Sequence, residues 1–221
     1  MVSFTTLLAA CAAISGAAAS PALTTRQNIT PNQEGTHNGY FFSWWSDGQS
    51  PVTYTNGNGG SYSVQWNAGG NLVGGKGWNP GTDRSITYSA NWQPTNNGNS
   101  YLTIYGWTRN PLVEYYVVEA HGEYNPGSAA QSRGSIQHAG STYRLYESTR
   151  TNAPSIDGTR TFQQYWAIRD QHRTSGTVDM GVIFDAWAAA GMSLGSHYYQ
   201  IVATEAYNSA GRSTVTISTP P

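Results

Sequence analysis

The stretch YLTIYGWTRNPLVEYYVVE, residues 101–119, contains the pattern that decides the fold of this chain. Two runs of aromatic and β-branched residues flank the turn-forming residues Arg109, Asn110 and Pro111. Such runs on either side of a turn predict two antiparallel strands.

The second run of this stretch places a glutamate beside a tyrosine. Side chains alternate between the two faces of a strand, so Glu114 and Tyr116 share one face, while Val113, Tyr115 and Val117 share the other. The apolar set predicts the core face, which leaves Glu114 on the opposite face. A lone glutamate in such a position is usually a solvated surface residue, but its aromatic neighbours favour a site.

The same kind of pattern continues from residue 39 onward. Short runs of β-branched and aromatic residues alternate with Gly, Asn, Pro and Ser, which is typical of many antiparallel strands joined by turns. The candidate strands are 39–45, 51–56, 60–67, 71–77, 85–92, 100–107, 112–121, 134–138, 141–151, 160–169, 195–208 and 212–218. So many strands do not fit one strongly twisted open sheet, and we therefore expect an all-β domain of two packed sheets.

One segment, 177–191, departs from the strand pattern. Four of its apolar residues follow the i, i+3, i+4, i+7 spacing of one helical face, and they are Met180, Ile183, Phe184 and Trp187. We predict one α-helix that ends at Gly191 and packs against the outside of one sheet.

The N-terminus resembles a secretory signal, although the charged region that usually opens one is missing. An apolar stretch is followed by small residues up to Ala19 and Ser20. We predict a signal peptide at 1–19, a propeptide and N-terminal tail at 20–38, and one folded domain at 39–219. The sole cysteine, Cys11, lies in the signal, so we expect no disulfide in the secreted domain.

The composition limits the classes of partner. Charged residues make up only 10% of the 221 residues, and the 15 tyrosines and 8 tryptophans argue against disorder. A formal net charge of -1 does not match the basic surface that binds nucleic acid. Outside the signal, the chain has no apolar run of the roughly 18 residues that a membrane span needs. We expect an uncharged or mildly charged partner.

A second glutamate occupies a similar position in QIVATEAY, residues 200–207, where Glu205 shares a strand face with Tyr207. Two carboxyl groups flanking a glycosidic bond are the minimum equipment of most glycoside hydrolases. One is ionised and attacks or activates water, and the other keeps a proton for the leaving oxygen, so the two need different pKa values. Aromatic rings such as Trp45 and amides such as Gln164 suit sugar rings and hydroxyls, although a single aromatic residue is more often part of a core.

Other chemistries find less support. The five histidines show no metal-ligand spacing, so we expect no metal and no cofactor. The glycine-rich run at 74–77 lacks the strand-to-helix context of a phosphate-binding loop. No Ser-His-Asp arrangement is apparent in the sequence.

Four segments together resemble the family 11 glycoside hydrolases, which are small single-domain endo-β-1,4-xylanases. They are NLVGGKGW at 71–78, YGWTRNPLVEYY at 105–116, PSIDG at 154–158 and EAYNSAG at 205–211. The resemblance covers nearly all of 39–218. It implies a catalytic β-jelly roll of two twisted antiparallel sheets, acting on xylan as a secreted enzyme, and we expect a monomer.

The resemblance also implies roles for individual residues. Glu114 matches the nucleophile and Glu205 the acid/base of a retaining double displacement, which requires carboxyl groups about 5 to 5.5 Å apart. Four further residues match cleft positions that hold the sugar and tune the nucleophile, and they are Tyr105, Tyr116, Arg150 and Gln164.

Three more positions follow from the same resemblance. Trp45 matches an aromatic residue on which a xylose ring stacks, and Pro154 begins the tip of a mobile thumb loop over the cleft, although 154–158 also fits an ordinary hairpin turn. Asn71 matches the neighbour of the acid/base. Asn at this position implies a mildly acidic to neutral pH optimum, whereas Asp implies a more acidic one.

Three other interpretations remain open at this point. A non-catalytic carbohydrate-binding β-sandwich would also expose aromatic residues, but it needs no paired glutamates. A β-1,4-glucanase of related shape would act on cellulose. An inactive homologue that elicits plant defence would cleave neither polysaccharide.

Overall fold

Two β-sheets account for most of the residues that the computed structural model describes, which are 30–96 and 98–221. In chain order the strands are β1 Gln33–His37, β2 Tyr40–Ser46, β3 Val52–Asn56, β4 Ser61–Trp66, β5 Asn71–Trp78, β6 Ser85–Asn96, β7 Asn99–Arg109, β8 Val113–His121, β9 Gln131–His138, β10 Ser141–Ser155, β11 Gly158–Arg169, β12 Ser175–Asp179, β13 Ser196–Tyr207 and β14 Ala210–Ile217. A short 3-10 helix, Pro126–Ala129, and α1, Met180–Ala189, lie between strands.

The larger sheet has nine strands in the order β1-β2-β5-β13-β7-β8-β11-β10-β9, and the smaller has five in the order β12-β6-β14-β4-β3. The predicted all-β class with two packed sheets and one α-helix is confirmed. One pair differs from the antiparallel expectation, because β8 and β11 run parallel. The chain leaves β8, forms β9 and β10 farther out in the sheet, and returns as β11 beside β8.

The main core lies between the sheets, and alternation along β8 decides which side chains enter it. Val113, Tyr115 and Val117 are fully buried in this core, as the sequence predicted. Glu114 and Tyr116 lie on the other face of the same strand, and Tyr116 belongs to a second buried cluster there. This second face forms the floor of a cleft.

The helix is shorter than the predicted 177–191. The chain before Met180 is not helical because β12 pairs with β6, and the Asp179 side chain caps the helix by accepting a hydrogen bond from the Gly181 amide at 3.0 Å. Its apolar face enters the main core, where the ring of Trp187 lies 5.9 Å from that of Tyr115. The helix therefore covers the sheet on the side away from the cleft.

The larger sheet begins earlier in the chain than the first candidate strand. β1 lies within the range assigned to the N-terminal tail, and it pairs antiparallel with β2 from Gln33 opposite Trp44 to His37 opposite Tyr40. Its sequence QEGTH lacks an apolar run because it is an exposed edge strand held by backbone pairing. Among the described residues, no helix has the length and apolar character needed to cross a membrane.

Candidate active site

Glu114 accepts a hydrogen bond at each of its carboxyl oxygens. The Tyr105 hydroxyl donates to Oε1 at 2.6 Å, and the Gln164 amide nitrogen donates to Oε2 at 2.7 Å. The Glu114 side chain is buried, with 8% of the residue exposed. Donors on both oxygens fix the orientation of the carboxylate and favour its ionised form.

Strand pairing explains how residues distant in sequence meet at Glu114. In the β7–β8 pair, Trp107 lies opposite Glu114 and Tyr105 lies opposite Tyr116. The parallel β8–β11 pair places Gln164 directly opposite Glu114. Both neighbouring strands therefore supply a donor to the same carboxylate.

Each of the two donors is itself held in place. The Trp107 indole nitrogen donates to the Tyr105 hydroxyl at 2.7 Å, so this hydroxyl proton is directed toward Glu114. The Ser148 hydroxyl donates to Oε1 of Gln164 at 3.2 Å, which turns the amide nitrogen of Gln164 toward the carboxylate. These contacts restrict the donors before any ligand binds, as preorganised sites require.

Glu205 lies across the cleft floor from Glu114 in a different environment. On β13 it pairs with Val73 of β5 and Tyr101 of β7, and Val73 in turn pairs with Trp45. Glu205 is half-buried, and its Oε2 atom is buried with no hydrogen-bond partner among the described residues. An unpartnered buried oxygen favours the protonated carboxyl group.

The two environments separate the pKa values of the carboxyl groups. Burial raises the pKa of Glu114, but the Tyr105 hydroxyl, the Gln164 amide and the Tyr116 hydroxyl oppose this rise. The pKa of Glu205 is raised well above its usual value, first by burial and then by the negative charge of Glu114. Glu205 is therefore the carboxyl group that keeps its proton to higher pH.

One cleft of about 220 Å³ brings together every site residue that the sequence analysis named. These residues are Trp45, Asn71, Tyr105, Glu114, Tyr116, Arg150, Pro154, Gln164 and Glu205. Tyr116 stacks on Trp166, with ring centroids 4.0 Å apart and planes inclined by 10°. Arg150 is exposed, and its positive charge lowers the pKa of both glutamates.

Asn71 lies near Glu205 but shares no hydrogen bond with it in the described structure. Asn71 is opposite Tyr207, and Glu205 is opposite Val73, so Asn71 and Glu205 are diagonal neighbours on one face of the sheet. Diagonal neighbours in an antiparallel pair are roughly 7–8 Å apart, within reach of long side chains.

The hairpin that joins β10 to β11 carries the predicted thumb tip. Pro154, Ser155 and Ile156 line the cleft from this hairpin. Asp157 lies in the turn of this hairpin and accepts hydrogen bonds from Arg109, at the end of β7. Its Oδ1 atom accepts at 2.7 and 2.9 Å, and its Oδ2 atom accepts at 3.1 Å. The hairpin tip is thereby attached to the centre of the larger sheet.

Sequence reasoning missed several residues of this site. Ser148 and the Arg109–Asp157 pair depend on contacts between distant strands and leave no local pattern. Tyr199 also lines the cleft, and alternation back from Glu205 could have found it. The sequence between His197 and Gln200 contains an irregularity in strand pairing, which obscures that alternation. Glu34 was missed because β1 was missed.

Within 30–96 and 98–221, no group of three or more His, Cys, Asp or Glu side chains could hold a metal ion.

A sheet-floored cleft that presents two carboxyl groups with separated pKa values, among aromatic rings, has the equipment of a glycoside hydrolase. The sequence profile of the glycosyl hydrolases family 11 matches residues 37–216. Ethylene-inducing xylanase 4 of Verticillium dahliae is 73% identical over 221 residues and all of both chains. Endo-1,4-beta-xylanase I of Cochliobolus carbonum is 62% identical over 224 residues, and endo-1,4-beta-xylanase 1 of Pyricularia grisea is 61% identical over 232, each over all of both chains. The chain belongs to glycosyl hydrolases family 11.

Proposed function

We propose that this chain is an endo-β-1,4-xylanase that hydrolyses internal bonds of xylan with retention of anomeric configuration. The observation that carries the proposal is the contrast between Glu114, with a donor on each oxygen, and Glu205, with a buried unpartnered oxygen. The first environment suits an ionised nucleophile, and the second suits a proton donor. The printed names of the full-length relatives supply the substrate and the internal mode of cleavage.

The proposed reaction has two displacements. In the first, a Glu114 oxygen forms a bond to the anomeric carbon, the glycosidic C–O bond breaks, and Glu205 gives its proton to the leaving oxygen. In the second, Glu205 takes a proton from water, the water oxygen bonds to the anomeric carbon, and the Glu114 ester bond breaks. The second displacement gives Glu205 the proton that the first removed and frees the Glu114 carboxylate, so the enzyme is regenerated.

The remaining cleft residues have proposed roles in holding the sugar chain. Trp45 offers a ring face for stacking, and Pro154 covers the cleft from the hairpin opposite. The Tyr116 hydroxyl stabilises the ionised form of both carboxyl groups and so lowers the pKa of each. The positive charge of Arg150 stabilises the negative charge that Glu114 carries at the start and that Glu205 carries in the intermediate.

The proposed setting is extracellular, with the chain acting as a monomer. The predicted signal peptide at 1–19 lies outside the described residues, as does most of the tail at 20–38. The bounds 39–219 for the catalytic domain remain a proposal. This range contains every described strand except β1. N-terminal sequencing of the exported protein tests the signal peptide, and the mass of the protein in solution tests the monomer.

The test of the activity is hydrolysis of xylan and of cellulose by the wild type, Glu114→Gln and Glu205→Gln. We expect reducing-sugar release from xylan but not cellulose, loss of this activity in Glu114→Gln, and a drop of roughly 10²- to 10⁴-fold in Glu205→Gln. Glu123→Gln is the matched control, because Glu123 is exposed and does not line the cleft. A wild type that binds xylan without cleaving it would establish the carbohydrate-binding alternative, and cleavage of cellulose would favour the glucanase alternative.

A second candidate function is elicitation of ethylene production in plants, which the printed name of the 73% identical relative suggests. Applying wild type and Glu114→Gln to plant tissue separates it from hydrolysis. Ethylene release by both proteins would assign the effect to the protein surface, whereas release by the wild type alone would assign it to xylan cleavage.

A further inference from the structure

Glu34 is a third carboxylate on the cleft and has no place in the proposed reaction. It lies on the edge strand β1, opposite Ser43 of β2, and lines the same cleft as Glu114 and Glu205. Unlike those two side chains, Glu34 is exposed. Its charge therefore faces solvent and any ligand that enters the cleft.

Two hydroxyl groups hold the Glu34 carboxylate in position. The Ser43 hydroxyl donates to Oε1 at 3.2 Å, and the Tyr198 hydroxyl donates to Oε2 at 2.8 Å. Neutral donors orient a carboxylate without cancelling its charge. Each oxygen keeps further lone pairs that can accept a sugar hydroxyl.

Arg109, whose positive charge interacts with Glu34, is already paired with another carboxylate. The Arg109 guanidinium lies over the Tyr198 ring, 4.2 Å from its centroid, and is bound in a two-pronged pair to Asp157. No ion pair within 30–96 and 98–221 includes Glu34. The negative charge of Glu34 is thus not neutralised by a direct contact.

The Glu34 charge acts on a different part of the cleft from the Arg150 charge. Burial first, and then the charge of Glu34, raise the pKa of Tyr199 on the cleft wall. Arg150 acts on Glu114 and Glu205. Glu34, Arg109 and Asp157 together carry a formal charge of -1, so the wall formed by β1, β2 and the start of β13 keeps an excess negative charge.

We propose that Glu34 is a specificity residue that admits neutral sugar units at this wall and disfavours units bearing a carboxylate. A xylosyl or other uncharged unit donates hydroxyl hydrogen bonds to Glu34. A uronic acid side group brings a second carboxylate to the same place and is repelled. This inference rests on the xylan hydrolysis proposed above.

The test compares one uronic-acid-bearing xylan with the same xylan after its carboxyl groups have been reduced to primary alcohols. The wild type is expected to show a higher kcat/KM on the reduced polymer, and Glu34→Gln should shrink the ratio of the two values by about threefold, as expected for a solvent-exposed charge pair. Gln keeps one acceptor oxygen for Tyr198 or Ser43, and its amide nitrogen can donate to the other hydroxyl, so the side chain stays attached to the wall. Added salt should lower the wild-type ratio and leave the Glu34→Gln ratio unchanged, because salt screens exposed charges.

Glu123→Gln removes the same charge from a site outside the cleft lining and should keep the wild-type ratio. An unchanged ratio in Glu34→Gln overturns the inference, and so does an equal change in Glu123→Gln, which would indicate an effect of net charge alone. A wild type inactive on both polymers would instead contradict the proposed function. The two failures are therefore distinguishable.

Discussion

Replacing Tyr105 by Phe removes one hydroxyl group from the centre of the site and tests how Glu114 is kept ionised. The Tyr105 hydroxyl donates to Glu114 at 2.6 Å and accepts from the Trp107 indole nitrogen at 2.7 Å. Tyr105 is 3% exposed, so water has little access to take over either contact. Phe keeps the ring and its packing.

The size of the effect follows from the bonds that are lost. A hydrogen bond to a charged group contributes about 1.5–3 kcal/mol, and about 1.4 kcal/mol corresponds to a tenfold change in rate. If Glu114 needs this bond for reactive alignment, kcat/KM at the optimum should fall by about 10- to 100-fold. The Tyr105 hydroxyl also holds down the pKa of Glu114, which burial raises. Its removal should therefore raise that pKa further.

The assay is the pH dependence of kcat/KM on a chromogenic xylo-oligosaccharide. The acid limb reports deprotonation of the nucleophile in the free enzyme, so it should move to higher pH in Tyr105→Phe. Tyr165→Phe is the matched control, because the Tyr165 hydroxyl bonds the Ser193 carbonyl at 3.2 Å and does not line the cleft. An acid limb that stays in place or moves to lower pH, or a rate within about twofold of the control, would refute the reasoning.

Two further predictions concern pH and stability. Asn71→Asp should move the acid limb to lower pH, because the resemblance to family 11 implies a more acidic optimum for Asp at this position, diagonal to Glu205; an unshifted or alkaline-shifted limb in the pH-rate profile would contradict this. Arg173→Leu should lower the free energy of unfolding in urea by about 3–5 kcal/mol, because it leaves Glu119, 1% exposed, without its cation. Arg144→Leu breaks the exposed pair with Asp170 and should cost less than about 1 kcal/mol; equal losses in the two variants would refute the distinction.

Local patterns in the sequence were sufficient to predict the fold class and the faces of the key strands. Alternation placed Glu114 opposite the core side of β8, and the structure has Val113 and Tyr115 in the core as expected. The helical spacing around Trp187 predicted the α-helix, because packing requires one apolar face. These features depend on neighbours within a few residues.

Features that depend on pairing between distant strands could not be predicted from local patterns. The parallel register that sets Gln164 opposite Glu114 joins residues 50 positions apart. Residue chemistry and the resemblance to family 11 both named Gln164, but neither gave its register directly opposite Glu114. The polar edge strand β1 has no alternation of apolar and polar residues, so the sequence did not predict this strand and Glu34 was not recognised as a cleft residue. The start of α1 was misplaced because pairing of β12 with β6 overrides the helical pattern before Asp179.

The central claim is that Glu114 forms a covalent intermediate while Glu205 acts as acid and then base. The most direct measurement is proton NMR of xylo-oligosaccharide hydrolysis, recorded before the product anomers equilibrate. Two displacements at the anomeric carbon predict that the β-anomer appears first and the α-anomer grows in later by mutarotation. Initial formation of the α-anomer would show a single displacement by water and contradict the roles assigned to the two glutamates.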